Sequence, residues 1–403
     1  MKEVEKGNLE FVSIMALMMS FVALAIDIML PALDQIGASF NVINPNYNQL
    51  TISILFVGMA IGLIVFGPLS DRFGRKPIIL IGAFIFIIGC LVSLYAPTFE
   101  YMLLGRALQG LGGAASRNII VAMIRDQYSG TAMAKIMSFI FMIFILVPVF
   151  APIVGQLILS FGDWRDIYFF MIALSFLASL WFYLRQPETL TEDHRIPLNI
   201  KNLKHGTLET LKNKSSRYYM LAAGFIFGAF IAYLGASQQI IQLQFGAGEK
   251  FPYIFGVLAL CIGASSISNS KLLERYSMES LVHVGLKINI ISAIVYLCVY
   301  NFVLSDPNLY VFLTYLGFSF FGIGLLMGNF NALALQPLGH IAGIANSVIS
   351  SIQTFLSAMI AAYVGSQYDG TEQPLVLAFL LCSCLAVFCL IGVPRQKVDS
   401  SDG

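Results

Sequence analysis

The sequence predicts an all-α integral membrane protein of twelve transmembrane helices in two pseudo-symmetric six-helix bundles. Of its 403 residues, 58% are hydrophobic and 11% charged, against roughly 25% charged in a soluble domain. Mean hydropathy is +0.81, and 23 Lys and Arg with 22 Asp and Glu cannot cover a soluble surface of this size. Apolar stretches of about 20 residues, enough to cross about 30 Å of hydrocarbon, recur along the chain. The one long polar stretch, residues 187–216, separates six of them from six. A formal net charge of +1 offers no surplus of Lys and Arg for phosphate, so no nucleic acid is expected as partner.

In the first half the spans lie at about 11–32, 47–69, 77–97, 100–124, 133–160 and 166–186. The first has spanning length without a small-residue cleavage signal and reads as a retained helix. The second runs into a basic loop. The third, Ile78–Leu94, is apolar on every face, which excludes the alternating strands of a β-barrel. The fourth is rich in small residues and carries two arginines, and the fifth carries Pro148 and Pro152.

In the second half the spans lie at about 217–243, 251–272, 279–303, 308–332, 339–364 and 374–394. After the eighth, Leu272-Leu273-Glu274-Arg275-Tyr276-Ser277 echoes Leu69-Ser70-Asp71-Arg72-Phe73-Gly74 at an offset of 203 residues, half the chain. That places the echo in corresponding loops and supports an internal repeat. The expected organisation is an N-terminal bundle (1–186), a linker (187–216) and a C-terminal bundle (217–403). The linker region holds Pro187, Pro197, four acidic residues (Glu188, Glu192, Asp193, Glu209) and six basic ones (Arg195, Lys201, Lys204, Lys212, Lys214, Arg217), and reads as amphipathic. All six cysteines fall in spans, where cysteine acts as a small apolar residue, and no metal cluster is apparent. With the N-terminus cytoplasmic, 19 of 23 Lys and Arg fall on the cytoplasmic side, including Arg395 and Lys397, so both termini and the linker are expected there.

Ionisable residues inside a span are costly and mark pathways. Asp27 is the one acid not assignable to a loop, linker, tail or helix end. It sits about 8 Å below the outer end of the first span, and Arg106 about 9 Å below the same surface in the fourth, so the two could meet. An adjacent guanidinium favours the charged carboxylate and a substrate displacing it would not, which makes a proton-coupling device. The alternative is a permanent ion pair fixing helix packing. Arg117, eleven residues after Arg106 and on the same helix face, has no assignable acid partner and faces either a wet cavity or an anionic or carbonyl-rich solute. Gly110, Gly112, Gly113, Ala114 and Ala115 leave this helix thin, for close packing or for a ligand. Asn346, Ser350, Gln353 and Ser357 share one face of the eleventh span. With Asn118, Tyr233, Ser237, Gln238, Gln242, Asn329 and Asn331 they support a polar cavity shared by both halves.

The loop Gly67-Pro68-Leu69-Ser70-Asp71-Arg72-Phe73-Gly74-Arg75-Lys76 resembles the signature loop between helices 2 and 3 of the major facilitator superfamily. Arg106-Ala107-Leu108-Gln109-Gly110, followed by Arg125-Asp126, resembles its proton-linked helix 4 motif, and Asp27-Ile28-Met29-Leu30-Pro31, Pro148, Ala151-Pro152, Gly155 and Trp164-Arg165 fit as well. Together they resemble the twelve-helix proton-coupled drug antiporters, most closely the bicyclomycin and chloramphenicol resistance (Bcr/CflA) subfamily. The resemblance implies that Asp27 is the proton-titrating carboxylate with Arg106 its partner. It makes Gly67, Asp71, Arg72, Gly74, Arg75, Lys76, Arg125 and Asp126 a conformational latch that ties helix ends when the cavity opens outward, and Pro148, Pro152 and Gly155 the helix 5 antiporter motif. That motif usually ends in two glycines, but here Gln156 follows Gly155. Arg117 stands where members carry small or apolar residues, which suits a neutral, zwitterionic or anionic substrate such as a siderophore or an acidic metabolite.

The leading expectation is proton-coupled efflux of drugs or small metabolites by alternating access, by a monomer in a bacterial inner membrane. Its partners are protons, a small-molecule substrate and the lipid bilayer, and it is driven by the proton gradient without a cofactor. Alternatives are export of an anionic or zwitterionic metabolite, and proton-coupled solute symport. An embedded enzyme is disfavoured because no span pairs a nucleophile with a base, and a non-transporting scaffold would lack substrate-dependent proton movement.

Overall fold

The computed structural model describes residues 2–128, 130–195, 200–303 and 306–394. Pro197, Arg395 and Lys397 lie outside them. Helix α1 (Lys2–Asp27) stops at Asp27, a 3-10 turn follows at Leu30–Ala32, and α2 (Leu33–Ser39) completes the first crossing. Pro31 is accommodated at the start of that turn, where its missing N–H leaves no donor orphaned. The first span therefore reaches Ser39 rather than ending near residue 32.

Helices α3 (Leu50–Phe73), α4 (Arg75–Leu94), α5 (Phe99–Gln127), α6 (Gly130–Phe161) and α7 (Trp164–Arg185) follow. The amphipathic segment forms α8 (Ile200–Lys212), and the Asn213 side chain then accepts from the Ser216 N–H at 3.0 Å to start α9 (Lys214–Ser237). α9 continues as a π-helix over Gln238–Gln244. The chain ends with α10 (Phe251–Leu272), α11 (Met278–Phe302), α12 (Leu309–Leu335), α13 (Ala342–Ser366) and α14 (Gln373–Ile391). The uninterrupted apolar stretch Leu309–Ser366 is two crossings, α12 and α13, joined by a 3-10 turn at Gln336–Ile341. Counting α1 with α2 as one, twelve crossings lie among the described residues, and all but the first keep within a few residues of the predicted spans.

Small residues set the closest contacts. A Cβ on Gly110 would stand 1.8 Å from the Leu55 carbonyl oxygen of α3, and one on Gly112 would stand 2.3 Å from that of Gly82 in α4. The thinness of α5 therefore serves packing, where backbones approach closely without any hydrophobic drive between helices. Helices α1 and α3–α7 pack on one another, as do α9–α14, and α3 meets α13 and α6 meets α10 between the two sets. The N-terminal part of α1, the C-terminal ends of α7 and α14, and α8 share one face of the bundle, the terminal face. Glu10 meets Arg185 there at 2.6 Å, and Nε2 of His340 lies 2.7 Å from the Glu209 carboxylate of α8.

Candidate functional site

Between the two sets of helices lies an aromatic cavity of ≈ 270 Å³. Phe227, Phe230 and Tyr233 recur every three residues along α9 and so line one face, joined by Phe56 of α3, Phe255 of α10 and Phe320 of α12. Tyr233 packs edge-on to Phe320 with ring centroids 4.8 Å apart and stacks on Phe255 at 5.9 Å, and its buried hydroxyl has no partner. Asp27 opens onto this cavity at 4% exposure, and among the described residues no group donates to its carboxylate. Pro148 of α6 lines the same wall. A Cβ on Gly155 would come 2.1 Å from the Ile28 carbonyl oxygen, so α6 lies directly against the end of α1, beside Asp27, and Pro152 is buried in the same stretch.

Asp27 and Arg106 do not pair. Arg106 is fully buried, its Nε donates to the Thr51 carbonyl at 2.9 Å, and its Nη1 donates to the Ala25 carbonyl at 2.9 Å and to Gln109 at 2.7 Å. Ala25 and Asp27 are two residues apart, about 200° around the helix, so the face of α1 that meets Arg106 is not the face that carries the acid. Arg106 instead places a cation on a carbonyl in the last turn of α1, where the helix dipole is negative and carbonyls lack intrahelical partners.

A polar vestibule of ≈ 450 Å³ joins the aromatic cavity at Arg117, Phe227 and Met327 and runs to the terminal face, where Arg125 and Gly343 are exposed. Arg117 and Asn118 of α5 line it with Asn346, Ser350 and Gln353 of α13. Asn346 donates weakly to Asn118 at 3.5 Å, and among the described residues Arg117 donates only to the Met59 sulfur, at 3.6 Å. Five expected cavity residues, Ser237, Gln238, Gln242, Asn329 and Ser357, line neither space. Gln238 donates to the Pro31 carbonyl at 3.1 Å, and Ser357 donates to the Gly224 carbonyl at 2.9 Å. Asn329 donates to Asn269 at 2.8 Å in the packing of α12 on α10, while Asn331, about 200° round the helix, faces the vestibule.

At the opposite, far face the halves are sewn together. Gln49 donates to Gln239 at 2.6 Å, Gln239 to the Pro45 carbonyl at 2.9 Å, and Asn46 to the Tyr368 carbonyl at 2.8 Å. Glu372, fully buried, accepts from Tyr296 at 2.5 Å and from Gln244 at the end of the π-helix. Nothing in the hydropathy pattern singles out Gln49, Gln239 or Glu372. The cluster of Gln238, Gln239, Gln242 and Gln244 at the end of an apolar span is the one available signal, and the π turn shifts which of them face the partner half.

The loop residues converge on Arg75, which is 5% exposed. Its Nε meets Asp126 at 3.1 Å, and its Nη1 donates to Ser70 at 2.8 Å and pairs with Asp71. Lys76 donates to the Tyr183 carbonyl at 2.7 Å, while Arg72 and Arg125 are exposed, Arg72 over the Phe73 ring at 5.1 Å. Glu188 joins this group without any sequence signal. Its carboxylate accepts from the Arg75 and Lys76 amides at 2.9 and 3.1 Å, capping α4. Gly74 has φ +104, and a Cβ there would lie 2.5 Å from that carboxylate, so glycine is required twice over. Gly67 packs against Ser347 of α13, a Cβ there lying 2.7 Å from its hydroxyl. Apart from Gly67, these contacts stay within α3, α4, α5, α7 and the start of the linker.

The family profile described as Major Facilitator Superfamily matches residues 12–362. A bicyclomycin resistance protein homolog of Haemophilus influenzae is 28% identical over 400 residues, covering 98% of this chain and 99% of the relative. The multidrug resistance protein MdtL of Shewanella oneidensis is 25% identical over 379 residues, covering 92% of each. The solved xylose transporter XylE from E. coli, in a partially occluded inward open conformation, superposes with a TM-score of 0.76 at 13% identity, covering 98% of this chain and 100% of that one.

Proposed function

Because the chain belongs to the major facilitator superfamily, we propose that it is a proton-coupled exporter of drugs or small metabolites that works by alternating access in a bacterial inner membrane, one chain being the transport unit. The names of its relatives, bicyclomycin resistance and multidrug resistance proteins, support efflux. The observation that carries the proton coupling is Asp27, a carboxylate without a donor opening onto an apolar cavity between the two halves. Protonating such a group breaks no bond, so its proton occupancy is free to follow the side the cavity faces and the presence of substrate.

In this reading the terminal face is cytoplasmic, and bundles 1–186 and 217–403 rock about the cavity. The Asp27 proton leaves to the cytoplasm through the vestibule, and substrate enters by the same path and reaches the aromatic walls. After the far-face seal opens and the vestibule closes, a proton from outside returns to Asp27 and substrate leaves. Arg106 holds the end of α1 so that the acid keeps its aim, and Pro148 and Gly155 hold α6 against it. The group around Arg75 keeps α3, α4 and α5 moving as one block.

The test is proton movement in everted vesicles carrying the protein. Chloramphenicol or an aromatic carboxylate added to vesicles with an imposed pH gradient should discharge part of it, and Asp27→Asn should abolish that discharge. Discharge that survives the substitution would remove Asp27 from the coupling step. A gradient that drives either compound the other way would make the protein a symporter.

A further inference from the structure

We propose that the substrates are amphipathic organic anions, with a compact anionic head held by Arg117 and Gln353 and an apolar, preferably aromatic, body in the cavity beside Asp27. This rests on the reading of the cavity as the transport site. Among the described residues Arg117 is the only one with a formal charge that lines both spaces, standing where the polar vestibule meets the aromatic cavity. Among the described residues it has no carboxylate within 4 Å, so it is not the counter-ion of Asp27 although both line the same cavity. A guanidinium in partial burial whose one hydrogen-bond partner among the described residues is a thioether is a donor set awaiting an acceptor.

Two further observations point the same way. Gln353 lines the vestibule at 6% exposure, and among the described residues its buried Nε2 has no acceptor. It adds an amide donor to the guanidinium's fork, the combination that suits a carboxylate, sulfonate or phosphate. The charges of the vestibule are also unbalanced. Its one acid, Asp71, is paired with Arg75, while among the described residues no acid pairs with Arg125 at the mouth or Arg117 at the inner end. An anion is drawn inward along this path, and a cation meets like charge twice before reaching the aromatic walls. Once the head is held at Arg117, the body has the ring-lined space of α9, α10 and α12 to occupy.

The experiment measures binding of three naphthalene derivatives of matched shape to the purified full-length protein at neutral pH: 2-naphthoate, 2-naphthamide and (2-naphthyl)trimethylammonium. A charge-assisted contact at Arg117 should make the carboxylate bind roughly tenfold to hundredfold tighter than the amide, with the ammonium weakest. Arg117→Gln should bring the carboxylate-to-amide ratio to about one, and Arg117→Lys, which keeps the charge and loses the fork, should leave an intermediate ratio. Unliganded unfolding midpoints check that each variant is folded. The proposal is overturned if the ammonium or amide binds as tightly as the carboxylate, if none of the three binds, or if folded Arg117→Gln retains the wild-type ratio. Asp27→Asn separates the two readings. It should keep the carboxylate preference while losing proton exchange, and proton exchange that survives it sinks the coupling but not the anion site.

Discussion

Asp27→Asn and Arg106→Met form a matched pair that tests how the charges inside the membrane divide their work. The Asp27 carboxylate accepts no hydrogen bond from the described residues, so an amide of the same shape removes none, and stability should change by no more than about 0.5 kcal/mol. Arg106 donates to two backbone carbonyls on other helices, Thr51 at 2.9 Å and Ala25 at 2.9 Å. Interhelical hydrogen bonds are worth about 0.6 to 1.7 kcal/mol each in membrane proteins, so Arg106→Met should cost roughly 1 to 3 kcal/mol. At roughly 2–4 °C per kcal/mol, its unfolding midpoint should fall by roughly 3–10 °C, against about 2 °C or less for Asp27→Asn. The assay is thermal unfolding of purified protein in detergent at one scan rate, since unfolding of such proteins is commonly irreversible. The same samples, reconstituted, are then assayed for substrate-dependent proton movement. Asp27→Asn should be stable and uncoupled. If it instead loses as much stability as Arg106→Met, the acid is a structural partner after all and the separation of roles is wrong.

Gly155→Ala forces a Cβ to within 2.1 Å of the Ile28 carbonyl oxygen, and such overpacking should cost about 1–3 kcal/mol, read as a lower unfolding midpoint together with slower transport. Glu188→Ala uncaps α4, a loss of about 1 kcal/mol, and limited proteolysis of membranes should then cleave the segment after Gln186 faster; an unchanged rate would mean the cap does not hold the linker. Gln239→Leu removes the bonds to Gln49 and Pro45 at the far face. A loss of roughly 1 kcal/mol should raise the far-face-open population about fivefold. That population is read as faster labelling of an Ala259→Cys probe by an impermeant maleimide added at the far face, in a background without the six native cysteines.

Hydropathy alone locates the crossings because lipid penalises every unpaired backbone group and every exposed charge, so spans must be long, apolar and helical. α5 is the instructive span. Its polar and small residues lower its hydropathy, yet they are where the helix packs against α3 and α4 or lines the vestibule. What the sequence leaves open is rotation and partner choice. Arg106 and Asp27 were expected to meet from their depth alone, and depth says nothing about the angle around α1 that separates Asp27 from Ala25. Asn329 and Asn331 read as a pair, but two residues apart on a helix they face opposite ways, and only the packed neighbours decide which one is wet. Gln238 and Gln239 lie on a π turn, where 3.6-residue counting fails. Glu188 caps a helix 113 residues earlier in the chain, a long-range pairing no local pattern encodes.

Where the far-face seal crosses between the halves it is built from neutral groups. Its hydrogen bonds between halves join glutamine and asparagine amides to one another and to backbone carbonyls, and among the described residues no ion pair crosses between the halves there. The ionic cluster around Arg75 lies at the terminal face. With that face cytoplasmic, as proposed, the ion pairs sit in a compartment the cell buffers, while the bonds joining the halves at the face turned to the surroundings carry no charge to screen or titrate. Brine or acid outside would leave the door as tight as before, and a change in external acidity would register at the proton site without also loosening the hinge that conceals it.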